Sequence, residues 1–306
     1  MQSKYFLWIQ AARPKTLPAA LAPVVVGSAA AFRDGKLEVF TALICLACAV
    51  TLQVAVNLAN DFFDAKNKID SDERLGPVRV TQSGLISPES VRRAIIWSLV
   101  LAGILFACLV NRGGVVILFI GIASMLAALA YSGGPFPLAS HGLGEIFVFI
   151  FFGLVAVCGT YFIQTGQLNS FIVTAAVPPG LLISAIMVVN NLRDRETDRK
   201  AGKNTLAVII GKQATVILYT LLVGLSYGVL TVMAVGNSTV SVMILLPWLT
   251  FPYGWKLIRE VHEREGRELN EILAKTAKFS LVFSLLFAVG IGWTTLDLNI
   301  FGSVGS

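Results

Sequence analysis

Long runs of apolar residues, separated by short polar connections, make up most of this 306-residue chain. Each run approaches the roughly 20 residues that an α-helix needs to cross the hydrocarbon core of a bilayer. The pattern predicts an all-α, polytopic membrane protein that forms a single domain over residues 1–306. The nine predicted spans are 17–32, 39–59, 93–110, 114–131, 144–163, 171–190, 213–235, 240–256 and 277–295.

The connections between these runs alternate in character. One set is long and basic: the N-terminus, 60–92, 132–143, 191–212 and 257–276. The other set is short and holds only Arg33, Lys36 and Arg112, whereas the other 21 of the 24 Lys and Arg residues lie in or beside the first set. Because Lys and Arg concentrate on the cytoplasmic side, we expect a bacterial-type inner-membrane protein with its N-terminus in the cytoplasm and its C-terminus outside.

Composition supports a membrane protein. The chain is 56% hydrophobic and 14% charged, with a mean hydropathy of +0.76, whereas soluble domains are about a quarter charged. The net charge of +6 follows the predicted topology, so it does not indicate a nucleic-acid partner. No cleavable signal peptide is expected, because the first apolar run lies behind Arg13 and Lys15 and is long enough to span. All four cysteines lie inside apolar runs and are typical of small buried hydrophobes: Cys45, Cys48, Cys108 and Cys158.

Two clusters of Asp and Asn each end a predicted span on the cytoplasmic side. Carboxylates at the edge of the hydrocarbon layer are costly and usually mark a site. Residues three or four apart share one face of a helix, so each cluster can direct two carboxylates and an amide to one point. Four helices separate the clusters, which suggests a 4+4+1 pseudo-repeat with the site between its halves. The clusters are Asn57, Asn60, Asp61 and Asp64, with Asp70 beyond them, and Asn190, Asn191, Asp194 and Asp198.

This donor set predicts a Mg²⁺ site. Mg²⁺ prefers a few carboxylates together with substrate phosphate oxygens, and the predicted ligands are Asp61, Asp64, Asp194 and Asp198. The alternative role of helix caps or ion-pair partners suits the neighbouring acids better: Asp72, Glu73 and Glu196. Arg79 and Lys203 each follow a cluster, and both residue types bind phosphate. A divalent ion beside such cations suggests a diphosphate substrate.

A Gly- and Pro-rich connection runs from Tyr131 to Pro137 and on to Glu145. The ring of Tyr131 could face a developing carbocation, or it could anchor the chain at the membrane interface. His141 is more typical of a structural residue in such a connection. The dipole of the helix that starts at Glu145 is enough to explain that carboxylate.

Together these motifs resemble the UbiA-type intramembrane prenyltransferases, and in detail the branch that prenylates 1,4-dihydroxy-2-naphthoate in menaquinone synthesis. The resemblance extends from residue 8 to about 213, and the last three helices match in hydropathy alone. Lys68 stands where many superfamily members have a third Asp, and Gly and Pro follow Tyr131 where many have Lys. Both departures argue against a 4-hydroxybenzoate prenyltransferase. The matching residues are Arg13 to Pro18, the two clusters, Gly76 to Arg79, Gln82, Gly84, Tyr131 to Pro137, His141 to Glu145, and onward to Leu206.

The resemblance implies a helical bundle around a central cavity that cytoplasmic loops cap. It also implies that a polyprenyl diphosphate loses diphosphate, and that the resulting cation alkylates the naphthoate ring with loss of CO₂. The implied catalytic residues are the four Asp ligands of Mg²⁺ and Tyr131, and the implied substrate-binding residues are Lys15, Asn57, Asn60, Arg79, Gln82, Asn190, Asn191 and Lys203.

Several alternatives stay open at this point. Lys15 could meet the carboxylate of the aromatic substrate, or it could extend from the interface towards water. The length of the prenyl chain is open, as is a phytyl donor. A secondary transporter is the rival from another class, because a repeat with polar groups in its spans would suit one. Against a transporter, the acids lie at one rim, and no acid lies in the middle of a predicted span.

Overall fold

The computed structural model describes residues 3–67, 75–236 and 241–302. These residues are helical with short turns and carry one isolated β-bridge, between His141 and Asn204, so the all-α prediction is confirmed. Lys68 and Asp70 lie outside the described residues. The helices are α1 (Lys4–Ala12), α2 (Pro18–Arg33), α3 (Val39–Lys66), α4 (Pro88–Ala130), α5 (Gly144–Val148), α6 (Ala156–Thr165), α7 (Ser170–Ala175), α8 (Val177–Lys200), α9 (Leu206–Gly236), α10 (Phe251–Glu263) and α11 (Leu269–Gly302).

Six helical stretches in this part of the chain are long and apolar enough to cross a membrane. A seventh is obtained if Tyr5–Thr16 and Pro18–Arg33, which meet at an angle of 51°, form one bent span. The prediction of an integral membrane protein is therefore confirmed, whereas this count stays below the nine predicted spans.

Two of the predicted spans, 93–110 and 114–131, lie together in α4, which is broken at Gly114. Gly114 has φ 63° and ψ −157°, a conformation outside the helical region. A Cβ atom built on Gly121 would lie 2.7 Å from the ring of Phe106. In a straight helix these residues would be about 22 Å apart, at 1.5 Å per residue. The chain therefore reverses near Gly114, and the two halves of α4 pack side by side.

The predicted span 240–256 has a mixed conformation. It begins as a 3₁₀-helix, Val242–Thr250, and continues directly into α10. The rings of Trp248 and Phe251 pack around Tyr227 of α9, and the ring of Phe283 of α11 meets the same tyrosine edge-on. This segment is therefore held against both neighbouring helices by aromatic contacts.

The central helix of the bundle is α8. In the most apolar part of Ser170–Lys200, the stretch that contains α8, 72% is buried inside the protein. The corresponding share for Pro88–Ala130 is 17%. The largest core cluster joins α8 to α2, α6, α9 and α11 through residues such as Tyr161, Tyr219 and Phe287. Since α8 ends in the second acidic cluster, the most deeply buried of the membrane-spanning candidates carries half of the predicted site.

One close helix crossing fixes the position of α8. Phe149–Val155 forms a π-helical turn between α5 and α6, and such wider turns often occur at functional sites. There Gly153 faces Gly180 of α8, and a Cβ built on either glycine would lie within 2.9 Å of the other Cα. Only two residues without side chains allow the backbones to approach this closely.

Replacing Gly180 with Val should therefore destabilise the protein. Overpacking a closely packed contact commonly costs about 1–3 kcal/mol, so we expect a clear fall in the unfolding temperature in detergent. The matched control is Gly228→Val, because Gly228 also lies in an apolar helix, α9, and a Cβ there meets nothing within 4 Å. Equal unfolding temperatures for the two variants would contradict the close crossing.

Candidate active site

A cavity of about 290 Å³ opens between the helices, and both acidic clusters contribute to its wall. Ten of the residues predicted for the site line it: Asn57, Asn60, Asp64, Arg79, Tyr131, Asn190, Asn191, Asp194, Asp198 and Lys203. The remaining part of the wall is largely apolar and includes Cys48, Leu109, Ile117 and Phe152. The cavity thus has a charged end and a hydrocarbon end, which suits a molecule with a polar head and an apolar tail.

Asp64 is the acid of the first cluster that lines the cavity. Its carboxylate lies 2.5 Å from Nη2 of Arg79 and 3.5 Å from Nζ of Lys203. Asp64 and Arg79 are both almost fully buried, and a buried carboxylate requires such partners. Because Lys203 follows α8 and Arg79 follows α3, this ion-pair network joins the loops beyond the two clusters.

Asp61 has a different environment from Asp64, although both lie near the end of α3. Its two carboxylate oxygens accept hydrogen bonds from the backbone N–H groups of Val80 (3.0 Å) and Thr81 (3.1 Å). Asp61 does not line the cavity. Its carboxylate instead fixes the loop that carries Arg79, which places the guanidinium against Asp64.

The second cluster is organised around Arg193, which sequence reasoning did not select. Its Nε donates to Oδ1 of Asp194 at 2.8 Å, and its Nη2 lies 2.5 Å from Oδ2. Nη2 also donates to Oδ1 of Asn190 at 2.9 Å. Arg193 is buried and does not line the cavity, so it supports Asp194 and Asn190 from behind.

The remaining polar residues of the second cluster are also held by specific bonds. Asn191 donates from Nδ2 to Oε1 of Glu145 at 2.8 Å. The other oxygen of Glu145 is buried without a hydrogen-bond partner among the described residues. The backbone N–H of Lys203 donates to the carbonyl oxygen of Asp198 at 2.8 Å, which turns the chain after α8 back towards the cavity.

The amides of the first cluster connect α3 to other segments of the wall. Nδ2 of Asn57 donates to the carbonyl oxygen of Ala12 at 2.9 Å and to Oγ1 of Thr16 at 3.1 Å. Asn60 accepts a short hydrogen bond from Ser132 through its Oδ1. These contacts draw the N-terminal segment and the connection after α4 onto α3.

Tyr131 lies on the cavity wall, and its hydroxyl group donates to Sδ of Met187 at 3.2 Å. Tyr131 can thus present a polarisable ring and a hydroxyl group to a substrate.

Two predicted substrate-binding residues, Lys15 and Gln82, are exposed and do not line the cavity. Arg13, two residues before Lys15, does line it. Arg13 adopts a left-handed conformation with φ 53°, so the chain turns between α1 and the following 3₁₀-helix. Because the chain turns here, helical periodicity does not indicate which side chain faces the cavity. The sequence alone therefore offers no reason to choose Arg13 over Lys15 as the cavity residue.

His141 is held by its own loop. Its Nδ1 lies 2.8 Å from the carbonyl oxygen of Pro137, and its ring stacks on Phe136 with centroids 3.6 Å apart. Its backbone pairs with Asn204 in the isolated bridge. His141 therefore connects the loop after α4 to the loop after α8.

The donor set of the cavity fits Mg²⁺. The carboxylates that line the cavity are Asp64, Asp194 and Asp198, and no His is among its described lining residues. The two cysteines of the wall, Cys45 and Cys48, lie in the first half of α3, more than four turns before Asp64. Among the described residues, no three acidic, His or Cys side chains converge on a single metal position. This suits an ion that takes one or two carboxylates and completes its coordination with substrate phosphates and water.

Comparison with known proteins agrees with this geometry. The model of the UbiA prenyltransferase family matches residues 20–282. The 1,4-dihydroxy-2-naphthoate octaprenyltransferase of Haemophilus influenzae is 37% identical over 95% of this chain and 97% of its own length. The enzyme of the same name from Escherichia coli is 35% identical over 93% and 94%.

A solved structure shares the fold. A UbiA homologue from Archaeoglobus fulgidus, bound to DMAPP and Mg²⁺, superposes with a TM-score of 0.67 at 17% identity. The superposition covers 94% of this chain and 99% of that one. On the family match and the identity to these relatives, the chain belongs to the UbiA prenyltransferase family.

Proposed function

We propose that this protein transfers a polyprenyl group from an allylic polyprenyl diphosphate to 1,4-dihydroxy-2-naphthoate, with loss of CO₂, in menaquinone synthesis. The observation that carries the proposal is that Asp64, Asp194 and Asp198 line one largely apolar cavity together with Arg79 and Lys203. The names of relatives 35–37% identical over nearly the whole chain support the naphthoate acceptor.

The charged end of the cavity would bind the diphosphate. Arg79 and Lys203 supply fixed positive charge there, and both now pair with Asp64. An incoming diphosphate gives these cations a second anionic partner, which leaves the carboxylate of Asp64 freer to bind a metal ion. Fixed charges in a site that excludes water stabilise a leaving group strongly, because they need no reorganisation during the reaction.

Mg²⁺ would take one or two of the carboxylates of Asp64, Asp194 and Asp198 together with diphosphate oxygens, and it would neutralise the charge that develops on the departing diphosphate. Asp61 stays a predicted ligand. Its oxygens accept two backbone N–H groups, whereas a carboxylate offers about four lone-pair sites. Asn57, Asn60, Asn190 and Asn191 would orient the carboxylates, bound water and the substrates.

The proposed reaction involves three bonds. The bond between the allylic carbon and the diphosphate oxygen breaks, and diphosphate leaves with the electron pair. The naphthoate carbon that carries the carboxylate forms the new carbon–carbon bond. The bond to the carboxylate then breaks, CO₂ leaves, and its electron pair restores the aromatic ring. The apolar wall excludes water that would quench the cation, and Tyr131 presents its ring to that cation.

We also propose nine membrane spans, with both acidic clusters on the cytoplasmic side. Three observations support this number: the reversal of α4 at Gly114, the bent pair at the N-terminus, and the continuous segment from the 3₁₀-helix Val242–Thr250 into α10. The distribution of Lys and Arg supports this orientation, as well as caps formed by the loops after α3 and α8.

Removing one cavity carboxylate should abolish most of the activity without unfolding the protein. Asp198→Asn keeps the shape of the side chain but removes its charge, and losing such electrostatic stabilisation commonly costs about 10²–10³ in rate. The measurement is kcat with saturating substrates, beside the unfolding temperature. Glu196→Gln is the control, because Glu196 lies on the same helix but is exposed and pairs with Arg195 and Arg199. Near-normal turnover in Asp198→Asn would remove this acid from the site.

Lys203→Met should weaken the use of the prenyl diphosphate more than that of the arene. We expect a KM for the diphosphate about 10-fold higher, which corresponds to about 1.4 kcal/mol. Lys200→Met is the matched control, because Lys200 is nearby but exposed and does not line the cavity. A raised KM for the arene, with that for the diphosphate unchanged, would instead assign Lys203 to the acceptor pocket.

The identity of the product tests the proposed reaction. Purified protein with a radiolabelled polyprenyl diphosphate, Mg²⁺ and 1,4-dihydroxy-2-naphthoate should yield a prenylated product without the carboxyl group, and one CO₂ for each prenyl group transferred. EDTA should stop the reaction. Exclusive prenylation of 4-hydroxybenzoate, with its carboxyl group retained, would contradict the acceptor but leave the family unchanged. A preference for phytyl diphosphate would change the donor alone.

A further inference from the structure

A polar bridge outside the cavity connects the second acidic cluster to the first residues of α11. Nη1 of Arg193 donates to Oδ1 of Asn270 at 2.9 Å. Nδ2 of Asn270 donates in turn to the carbonyl oxygen of Leu75 at 2.8 Å, and to that of Arg267 at 3.0 Å. Neither Arg193 nor Asn270 lines the cavity. The bridge therefore lies outside the cavity and contacts the residues of its wall.

The geometry of Arg193 makes it suited to orient a carboxylate. Its planar guanidinium engages both oxygens of Asp194, at 2.8 and 2.5 Å, and a guanidinium bound in this manner fixes direction as well as charge. The same group also binds Asn190 and Asn270. These contacts leave Arg193 little freedom to rotate, and they link Asp194 to Asn270 through one guanidinium.

The other end of the bridge reaches the first cluster. Leu75 begins the described segment that leads to Arg79, whose guanidinium pairs with Asp64. Val80 and Thr81 of the same segment bind Asp61. The amide oxygen of Asn270 thus contacts Arg193, which supports the second acidic cluster. Its amide nitrogen contacts Leu75, in the loop that follows the first cluster.

We propose that Asn270 and Arg193 are positioning residues that hold Asp194 in the orientation required for a diphosphate-bound cation, with Asn270 acting through Arg193. This inference rests on the proposed function, because it assigns the support of the same site. Outer partners of metal ligands typically contribute about 10- to 100-fold to metal affinity or activity. The bridge brings the first turn of α11, far along the chain, into contact with groups that support both acidic clusters.

The test measures binding without turnover. Geranyl S-thiolodiphosphate, an unreactive prenyl diphosphate, is held at a saturating concentration while Mg²⁺ is titrated against the wild-type protein in detergent. The readout is the Mg²⁺ concentration that gives half of the maximal rise in unfolding temperature. The variants are Asn270→Ala, Arg193→Lys and the double variant, and Arg193→Lys keeps the charge but loses the bidentate geometry.

The matched control is Asn169→Ala. Asn169 also joins two helical elements with both amide atoms, because Nδ2 donates to the hydroxyl group of Tyr161 at 2.9 Å and Oδ1 accepts from the N–H of Ile172 at 3.0 Å. It lies before the N-terminal end of α8, whereas the second acidic cluster lies in the C-terminal half of that helix, and it does not line the cavity. Its replacement should lower the unfolding temperature without ligand and leave the Mg²⁺ midpoint unchanged.

We expect the midpoint to rise about 10-fold or more in Asn270→Ala and in Arg193→Lys. The double variant should be no worse than Arg193→Lys alone, since one residue acts through the other. A wild-type Mg²⁺ midpoint in a folded Asn270→Ala protein would overturn the inference. Additive effects on the midpoint in the double variant would also overturn it, as would an equal rise of the midpoint in Asn169→Ala. If Asn270→Ala does not fold, a wild-type midpoint in Arg193→Lys overturns it.

The same experiment separates this inference from the proposed function. If the wild-type protein shows no Mg²⁺-dependent stabilisation by the probe, both fail together. If the wild-type protein responds and the variants respond equally, the inference about the bridge fails and the proposed function stands.

Discussion

The pairing of buried charges across the cavity is the constraint on which the rest of the site depends. Asp64 is almost fully buried in an apolar bundle, where an unpaired carboxylate would cost several kcal/mol. Arg79 and Lys203 meet this carboxylate from two different loops. The pairing therefore holds the ends of α3 and α8 together with both following loops, and the cavity lies between them.

Helical periodicity could predict much of the site but not the direction of every side chain. The spacing of Asn57, Asp61 and Asp64 predicted that they share one face of a helix, and Asn57 and Asp64 of this set line the cavity. Asp61 instead binds the backbone of Val80 and Thr81. That difference depends on the path by which the loop returns to the helix, and periodicity within α3 contains no information about this path.

The membrane spans, like the site, could be predicted where they depend on local sequence, but not where they depend on contacts between distant residues. Hydropathy alone located the apolar stretches, and it separated the predicted spans 93–110 and 114–131 where α4 reverses. The close crossing of Gly153 and Gly180, by contrast, joins residues 27 positions apart in two helices. Arg193 and Asn270 are 77 positions apart. Neither pair lies within one helix, so helical periodicity cannot predict either contact. Only the packed bundle shows which residues support the acidic clusters.

A bound diphosphate must change this network of charges, because Arg79 and Lys203 cannot serve Asp64 and a diphosphate equally well. The groups that hold Asp61 and Asp194 differ from these two cations, because they do not face the cavity. Asp61 is held by backbone N–H groups and Asp194 by a guanidinium outside the cavity, so neither support needs to move when the cavity fills. The cations that face the cavity are therefore the part able to reorganise, while the two acidic helices keep their spacing. This division lets the same carboxylates hold the loops together in the absence of substrate and receive a cation in its presence.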